Sequence, residues 1–488
     1  MGLEILHSMG NNLRFYFVLL SVGAAIGLGN IWLYPFFSFK FTGFFIIPYL
    51  IALLVLGIPL LMLEFSIGQY FKKNVVDLFA SVRKWFSSIG WLMIINAFIV
   101  MSYYAVMLSW HIIYIFVSFG LQWKDNYRSY FFDNVIQISD GINNFTSFSL
   151  PVFIALIIVW AVVFFYIRKG FESIKKYFLV TLSVFVVLML FFLFYSLTLD
   201  NALVGIYSFL KPNLRGLLNI EVWVSAFTLA IISLGLSFGV MSAFARRSEK
   251  GFILENSSFV AIFDLLITIA VGFILFGILG FLSAKQEFGL NDLAFSDYGS
   301  LFTTITRALP FIYNPEILSF LLFLFLSLFF ILGISALAYS ISNVLVRKLN
   351  TSQFNASVIV VGGGFLFGLL FVIKPGFFIL DIINHFIIYT IMITVLLATL
   401  AIGWFFNVDR IAYHIDKNSI LKIGNIWKIF IRYVIPIIVF LLIIFQIKSD
   451  FLLNYNNYPF WAVLIFGVGA VVAPVVIAFL LPQKILDK

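Results

Sequence analysis

The sequence predicts an all-α integral membrane protein with about twelve transmembrane helices. Of its 488 residues, 63% are hydrophobic and 10% are charged, whereas soluble domains carry about 25% charged residues. Apolar windows of roughly 20 residues recur along the chain, which is the length that a helix needs to cross a hydrocarbon core about 30 Å thick. Such windows argue against a transmembrane β-barrel, whose strands alternate apolar and polar residues over about 10 positions.

The apolar windows define twelve predicted spans in a single membrane domain that covers residues 1–488. The predicted spans are 13–37, 42–70, 86–121, 150–167, 173–197, 219–245, 254–281, 315–346, 355–373, 377–405, 427–447 and 458–482. The longest polar stretch between them, residues 282–314, is too short for a separate soluble domain. We therefore expect one membrane domain.

The distribution of lysine and arginine predicts the orientation of the spans. With both termini on one side of the membrane, that side holds 21 of the 30 basic residues and the opposite side holds 9. Loops that remain in the cytoplasm carry the excess of lysine and arginine. We therefore expect a multi-pass protein of the plasma membrane with both termini in the cytoplasm. The side with 21 basic residues is called the basic side below.

Composition also bears on partners and chemistry. The chain has no cysteine and only four histidines, so disulfides and thiolate metal sites are excluded and no histidine ligand spacing is present. In so apolar a chain the net charge of +9 predicts a lipid bilayer, and not nucleic acid, as the partner. Asp381 and His385 share a helix face, which predicts a hydrogen bond between them. Because no nucleophile or cofactor motif lies beside them, an enzyme is not predicted. The sequence gives no indication of the oligomeric state.

Two predicted spans carry residues that interrupt a helix near the middle of the membrane. Residues 21–36 read SVGAAIGLGNIWLYPF, and residues 231–242 read IISLGLSFGVMS. These segments belong to spans 1 and 6, so the second half of the chain enters the membrane with opposite polarity to the first. Interrupted helices at matching positions of inverted halves indicate a binding site at the midplane of a secondary transporter, because non-helical backbone at that depth must line a cavity or be buried in protein.

The peptide groups released by such breaks suit a zwitterion and a cation. Free N–H groups at a helix end favour a carboxylate, and free carbonyl groups favour a cation or an ammonium group. The alternative is that small residues only allow helices to pack closely. Two breaks five spans apart, one of them with Asn30, favour the binding site.

The first two spans resemble the opening of the neurotransmitter:sodium symporter family, and later segments extend the match. The matching segments are GAAIGLGNIWLYPF, GFFIIPYLIALLVLGIPLLMLEFSIGQY at 43–70, Tyr103, Tyr104 and Trp110, WVSAFTLAIISLGLSFG at 223–239, and LGISA at 332–336. This family is itself a standard example of inverted repeats with discontinuous helices. The resemblance implies inverted repeats of five helices over about 13–197 and 219–405, followed by two additional helices at about 427–482.

The resemblance also implies sodium-driven uptake of an amino acid or an amine by alternating access. Gly27 favours an amino acid, because family members that carry amines place an acidic residue at this position. Small residues at Gly235, Ala336 and Ser340 predict room for a hydrophobic or aromatic side chain. The substrate-binding residues that the resemblance implies are Ala25, Gly27, Leu28, Gly29, Val100, Tyr104, Ile232, Ser233, Gly235, Phe238, Ala336 and Ser340.

The resemblance implies a first sodium site formed by Ala25, Asn30, Ser233 and Asp264. Asp264 stands where the family has asparagine, about 15 Å along predicted span 7, and a carboxylate at that depth is costly unless it has partners. Three functional roles are open: direct coordination of the cation, a fixed negative charge in place of the chloride ion of animal members, or uptake of a proton. A purely structural hydrogen bond to a neighbouring helix is the fourth possibility.

The resemblance also bears on chloride and on a second sodium site. The family's chloride positions correspond to Tyr49, Leu229, Ser233 and Thr268. Leu229 replaces an amide donor, so we expect no dependence on chloride. The coupling ion that the resemblance implies is sodium. The second sodium site would use Gly23, Ile26, Leu332 and Ser335. Ala336 replaces a second hydroxyl there, so this site is predicted to be incomplete.

The family's two charged gates are not present. The corresponding positions hold Leu33, Asn384, Ser8 and Asn350. We therefore expect closure by apolar and aromatic groups, such as Tyr104 against Phe238. Glu64 and Arg14 keep their family places and are predicted to have structural roles.

Two alternatives to sodium-coupled import stay open at this point. Proton coupling is suggested by Asp264 and by the incomplete second sodium site. A channel, or an amino-acid sensor that does not transport, is suggested by the loss of both charged gates.

Overall fold

The computed structural model describes residues 2–27, 29–41, 45–145, 147–211, 214–286, 298–417, 419–453 and 455–481. Regular structure in these segments is helical, apart from one isolated bridge between Phe148 and Ile373. The predicted all-α fold is therefore confirmed.

Ten helices among the described residues are long and apolar enough to cross a membrane. They are Ile46–Phe71, Lys84–Gly120, Leu150–Ile167, Phe171–Leu197, Ile253–Lys285, Pro315–Lys348, Gln353–Phe371, Gly376–Trp404, Gly424–Asp450 and Phe460–Leu480. They correspond to predicted spans 2–5 and 7–12, with bounds that agree to within a few residues. The protein is thus a multi-pass membrane protein, and the span numbers of the sequence analysis are kept below.

Spans 1 and 6 are the discontinuous ones. In span 1 the helix Gly2–Ala25 ends before a π-helical turn, Gly29–Leu33, which leads into the helix Tyr34–Lys40. The two halves are bent by 47°. In span 6 the helix Ile220–Ser233 ends six residues before the helix Val240–Ala245 begins. Both breaks therefore lie where the glycine-rich segments predicted them.

The break in span 6 depends on left-handed backbone at three positions. Gly235 and Gly239 have φ angles of +61° and +69°, which glycine adopts without steric cost. Ser237 has φ +65°, and its N–H donates to Glu64 Oε1 of span 2 at 2.6 Å. Glu64 is buried, so its carboxylate holds this turn in place, as its predicted structural role requires.

The two breaks lie against each other. A Cβ atom on Gly29 would lie 2.8 Å from the Cα and Cβ atoms of Ser233, and one on Gly235 would lie 3.2 Å from the carbonyl oxygen of Ala24. Span 7 packs along span 1, and span 3 packs along span 8. The breaks are therefore enclosed by other spans, which is the environment that non-helical backbone needs at membrane depth.

The polar stretches between spans hold short helices that the sequence analysis treated as loops. These helices are Tyr127–Ser129, Ala202–Leu210, Tyr298–Ala308 and Val408–Asp416. The longest apolar one, Ala202–Leu210, packs on span 7, which explains how a segment too short to cross the membrane buries its apolar face.

Candidate substrate and ion site

A buried carboxylate lies where the break of span 1 meets spans 2 and 7. Asp264 Oδ1 accepts a hydrogen bond from Asn30 Nδ2 at 2.7 Å, and Asp264 Oδ2 accepts one from the Tyr49 hydroxyl at 2.6 Å. Asp264 is 2% exposed, and its two donors are fully buried. The ion pairs among the described residues do not include Asp264. Its partners are therefore neutral, and its ionised form leaves one negative charge beside the break.

Two hydroxyls extend this network to span 6 and along span 7. The Tyr49 hydroxyl lies 2.8 Å from Ser233 Oγ. Because Tyr49 has one hydroxyl proton and gives it to Asp264, Ser233 is the donor in this contact. Asn30 Nδ2 also donates to Thr268 Oγ1 at 2.8 Å, and Thr268 Oγ1 donates to the backbone carbonyl of Asp264 at 2.7 Å. The network therefore joins both discontinuous spans to spans 2 and 7.

Asn30 also shapes the end of the helix in span 1. Its Oδ1 accepts the backbone N–H of Gly27 at 3.1 Å. In a regular helix that N–H would bond to the carbonyl four residues earlier, which belongs to Gly23. The Gly27 N–H thus bonds to a side chain in place of the Gly23 carbonyl, which opens the helical turn. The amide oxygen of Asn30 keeps a second lone pair for another donor or a cation.

The network has the chemistry of a site for a hard cation. Its carboxylate, amide and hydroxyl oxygens are the ligands that such cations prefer. Of the four predicted ligands, Asn30, Ser233 and Asp264 belong to this one network, and Ala25 is buried at the end of the first helical half of span 1. The described residues hold no cluster of three histidine, cysteine or acidic side chains. One carboxylate suits a monovalent cation better than a divalent one.

The predicted second ion position contains an unsatisfied hydroxyl. Ser335 is 0% exposed, and its Oγ has no hydrogen-bond partner among the described residues. A Cβ atom on Gly333 would lie 3.6 Å from the carbonyl oxygen of Ile26, so span 8 runs beside the break in span 1. A buried hydroxyl without a partner costs ~1–3 kcal/mol, which a coordinated cation would offset. Ala336 contributes only its methyl group.

Three adjoining spaces narrow towards the break. A vestibule of about 570 Å³ opens on the side opposite the basic side. A gap of about 20 Å³ lies below it, and the innermost space, at Gly27, is too narrow for a water molecule. Leu33, Asn384 and Ile388 line both the vestibule and the gap, and Tyr104 lines both the gap and the innermost space. The site is therefore approached from the vestibule and closed at Tyr104.

Only some of the predicted substrate residues line the gap or the innermost space. Val100, Tyr104, Ile232 and Phe238 line the gap, and Gly27 lines the innermost space. These four predicted side chains include both members of the expected aromatic closure, Tyr104 and Phe238. Leu28 lies outside the described residues.

The small residues that predicted a roomy pocket serve helix contacts instead. Ser340 Oγ donates to the carbonyl oxygen of Phe238 at 3.0 Å, and Gly235 faces the backbone of span 1. Neither residue lines the described spaces, and neither does the buried Ala336. The spaces in this conformation are smaller than the pocket that these residues predict, because small side chains at helix contacts bring backbones together; a roomy pocket for the bound substrate stays a prediction.

Phe329 and Phe330 are site residues that the sequence analysis missed. Both line the innermost space, together with Gly27, Ile31, Tyr104 and Gly333. The ring of Phe330 lies edge-on to that of Tyr104, with centroids 6.0 Å apart. A signal was available, because positions 330 and 333 are one helical turn apart on the face of span 8 that approaches the break.

The charged groups of the vestibule also differ from expectation. Asp381 Oδ2 accepts hydrogen bonds from Asn456 at 3.0 Å and from Tyr458 at 2.9 Å. His385 Nε2 lies 2.9 Å from Asp450 Oδ2. The hydrogen bond predicted between Asp381 and His385 is therefore wrong: each side chain instead meets a partner from residues 450–458, which no local spacing reveals.

The basic side holds an ion pair that the sequence analysis also missed. Lys348 Nζ at the end of span 8 lies 2.5 Å from Asp77 Oδ1, and both side chains are less than a tenth exposed. Asp77 belongs to the short helix Val75–Ala80 between spans 2 and 3. The uncharged residues at the family's gate positions therefore do not leave this side without a charged contact.

Comparisons with known proteins agree with this geometry. The model of the family described as the sodium:neurotransmitter symporter family matches residues 10–128 and 121–488. An uncharacterized sodium-dependent transporter of Methanocaldococcus jannaschii is 31% identical over 96% of this chain and 95% of its own length.

Two animal transporters are more distant relatives. The human sodium- and chloride-dependent GABA transporter 2 is 26% identical over 92% of this chain and 82% of its own length. The bovine sodium- and chloride-dependent taurine transporter is 26% identical over 93% of this chain and 81% of its own length. By name these relatives are sodium-dependent transporters, and the matching family is one of secondary transporters rather than enzymes. With a family match over almost the whole sequence and the two predicted breaks in place, this chain belongs to the sodium:neurotransmitter symporter family.

Proposed function

We propose that the protein imports a hydrophobic or aromatic amino acid together with sodium, by alternating access and without chloride. The observation that carries this proposal is the buried Asp264 carboxylate, which Asn30 and Tyr49 hold between the two broken spans. It provides a fixed negative charge for a cation beside backbone that the breaks have freed. The proposal treats residues 1–488 as one transporter domain with inverted repeats, as two breaks five spans apart suggest.

Gly27 supports an amino acid as the substrate. A Cβ atom at this position would meet nothing within 4 Å, so a group that the substrate brings meets no atom directly beside Gly27 once the innermost space, which is closed in this conformation, widens. A substrate carboxylate there would lie near the break, where helix-end N–H groups favour negative charge. Tyr104 lines the same space, and its hydroxyl is proposed as a second contact for the carboxylate.

The lining of the innermost space supports an apolar side chain. Ile31, Phe329 and Phe330 contribute hydrocarbon there, and a polar substrate group would lose its hydrogen bonds to water without replacement. Because the space is closed in this conformation, binding requires Tyr104 and Phe330 to separate. The aromatic contact between them is therefore proposed as the movable part of the gate.

Independence from chloride is supported by where the carboxylate lies. Three of the family's chloride positions, Tyr49, Ser233 and Thr268, belong to the Asp264 network. A chloride ion placed about 4 Å from the carboxylate would be repelled by roughly 4 kcal/mol at an effective dielectric constant of about 20. The carboxylate therefore takes over the charge that chloride supplies elsewhere, in contrast to the chloride dependence that the names of the human and bovine relatives state.

The proposed orientation follows from charge and from the vestibule. The basic side holds 21 of the 30 lysine and arginine residues, which favours a plasma-membrane protein with both termini in the cytoplasm. The vestibule then opens to the outside, as the import of a substrate requires.

The purified protein in liposomes tests this function. Uptake of radiolabelled amino acids is measured with an inward sodium gradient, with sodium replaced by potassium, and with chloride replaced by gluconate. We expect uptake of leucine-like or phenylalanine-like substrates that depends on sodium and is unchanged without chloride. Uptake that stops when chloride is removed would contradict the role given to Asp264, and binding without accumulation would contradict transport.

Proton coupling is the second candidate, because both oxygens of Asp264 are held by neutral donors. A carboxylate without a cationic partner can carry a proton in place of a metal ion. The same liposomes, given an inward pH gradient without sodium, decide between the two ions. Full uptake under that gradient would show that the proton, and not sodium, is the coupling ion.

A further inference from the structure

A cavity on the basic side carries a concentration of positive charge that the substrate and ion site does not use. It has a volume of about 620 Å³ and lies between the turn that joins spans 4 and 5 and the first half of span 1. The charged residues that line it are Arg168, Lys169, Glu172, Lys175 and Lys176. Four positive charges thus face one negative charge in a space large enough for a small molecular group.

The cations of this cavity have few acceptors among the residues that the structure describes. Within the described segments, none of the four basic side chains forms an ion pair with a carboxylate. Arg168 Nε is buried without a hydrogen-bond partner there. Arg168 lies over the ring of Phe165 at 4.7 Å, and Lys175 lies over the ring of Tyr16 at 3.7 Å. Contacts with ring faces leave N–H donors free, so an anion can satisfy several of them.

The start of span 5 adds to the positive potential. Its helix, Phe171–Leu197, has 27 residues and follows Gly170, whose φ of +64° reverses the chain. The N-terminus of a helix carries partial positive charge and unbonded N–H groups. The reversal at Gly170 brings basic residues from both sides of the turn to one cavity.

The cavity lies at the boundary of the membrane. Spans 4 and 5 end and begin there, at Ile167 and Phe171. Phe165 and Val180, one on each span, are 48% and 60% exposed. These apolar side chains form an outward surface beside the charged groups, along which hydrocarbon chains can lie.

We propose that this cavity binds the phosphate group of an anionic lipid from the leaflet on the basic side. Basic pockets between transmembrane helices suit such headgroups, and phosphate accepts charge-assisted hydrogen bonds from arginine and lysine. The exposed apolar flank favours a lipid over a free phosphate ion. Because Tyr16 belongs to span 1 and Lys175 to span 5, the headgroup would lie at the contact between a discontinuous span and its neighbour.

Native mass spectrometry of the full-length protein in detergent tests this proposal. The protein is mixed with phosphatidylglycerol and phosphatidylcholine, and we expect the wild type to retain phosphatidylglycerol preferentially. The double variant Lys169→Gln/Lys176→Gln removes two exposed cations of the cavity. Each basic residue near an anionic surface contributes about fivefold in affinity, so the loss of two should lower retention roughly 25-fold.

The matched control is Arg410→Gln/Lys417→Gln, which removes two exposed cations from the same side of the membrane but not from the cavity. It should retain phosphatidylglycerol like the wild type, and Lys169→Arg/Lys176→Arg should do the same. Size-exclusion profiles show whether each variant is folded, and Lys175→Gln replaces the double variant if that one is not. The proposal would be overturned if the cavity variant retained as much phosphatidylglycerol as the wild type. It would also be overturned if the control variant lost as much as the cavity variant. Full displacement of the lipid by inorganic phosphate would assign the cavity to a free anion and overturn it as well.

Discussion

The two candidate ion positions lie on either side of the same break, yet their polar groups are satisfied differently. At the first position, both oxygens of Asp264 accept hydrogen bonds, and Asn30, Tyr49 and Thr268 close the network. At the second position, the buried hydroxyl of Ser335 has no partner within the described residues. The first position is therefore held in shape by the protein itself, whereas the second gains a missing contact only when a ligand is present.

This difference predicts different links between sodium and stability. A preformed network changes little when the ion arrives, so the ion there contributes mainly through charge. A site with an unsatisfied group costs ~1–3 kcal/mol while it is empty, and sodium that binds only the folded protein stabilises it by mass action. The substitutions below test each half of this comparison, beginning with the largest expected effect.

Asp264→Asn should have the largest effect. Asparagine keeps the shape but replaces one acceptor oxygen by an NH₂ group, so Asn30 or Tyr49 would then face a donor. Losing a buried hydrogen bond to a charged group costs ~1.5–3 kcal/mol, and because the charge that attracts the cation is lost as well, we expect sodium-dependent uptake in liposomes to fall at least 100-fold. The control is Asp409→Asn, an exposed acid paired with Lys428. Unchanged sodium coupling in the first variant would contradict the role of Asp264 as an ion ligand.

Gly29→Ala should break the contact that brings Ser233 to the network. The new methyl group would lie 2.8 Å from Ser233 Cα, and overpacking of this kind costs ~1–3 kcal/mol. We expect a lower thermal midpoint and loss of most uptake. Gly27→Ala is the matched control, because its Cβ atom would meet nothing within 4 Å. The control should keep the thermal midpoint and change only which amino acids are taken up; equal loss of stability in both variants would contradict the contact.

Ser335→Ala tests the second ion position, where sodium is expected to stabilise the protein. Removing a buried hydroxyl without a partner should leave the sodium-free protein as stable as before, or more stable by up to ~1 kcal/mol. The stabilisation that sodium adds should decrease, as thermal unfolding with sodium and with potassium will show. Ser340→Ala is the control, since its hydroxyl bonds to the Phe238 carbonyl and its loss should destabilise the protein in both salts. An undiminished sodium effect in the first variant would remove the second site.

Thr268→Val should have the smallest effect. Asn30 Nδ2 would lose one of two acceptors but keep Asp264, and a single neutral hydrogen bond contributes ~1 kcal/mol. We expect the sodium concentration for half-maximal uptake to rise about fivefold. Thr399→Val is the matched control, because among the described residues that hydroxyl bonds to carbonyl groups of its own helix. A loss as large as that of Asp264→Asn would mean that the hydroxyl itself is a principal ligand.

Much of the fold was predictable from the sequence for simple physical reasons. A span must be about 20 apolar residues long, so the bounds of spans such as Leu150–Ile167 could be predicted directly. The breaks were predictable because Gly235 and Gly239 supply the left-handed backbone that other residues adopt at a cost. The participation of Asp264 was predictable because an acid at mid-membrane needs a partner.

The side chains that line the substrate site could not be predicted in the same way. Small residues at Gly235 and Ser340 suggested space, but the structure uses them for helix contacts and places Phe329 and Phe330 in the site. Asp381 illustrates the same limit, because its partners come from residues 456 and 458 and not from its own helix. Local spacing specifies which face of a helix a side chain occupies, and it does not specify which helix lies opposite.

The sequence by itself determined that the chain crosses the membrane many times, that two spans are interrupted, and that one acid lies near mid-membrane, because hydropathy, glycine conformation and charge are properties of short segments. Only the tertiary structure decided that both oxygens of Asp264 accept hydrogen bonds while the hydroxyl of Ser335 has no partner in the described part of the chain. It also decided that the basic residues around Gly170 meet Tyr16 of span 1. Whether a polar group finds a hydrogen-bond partner, and where a cavity forms, depends on groups that are far apart in the chain. Only the packing of the spans brings those groups together.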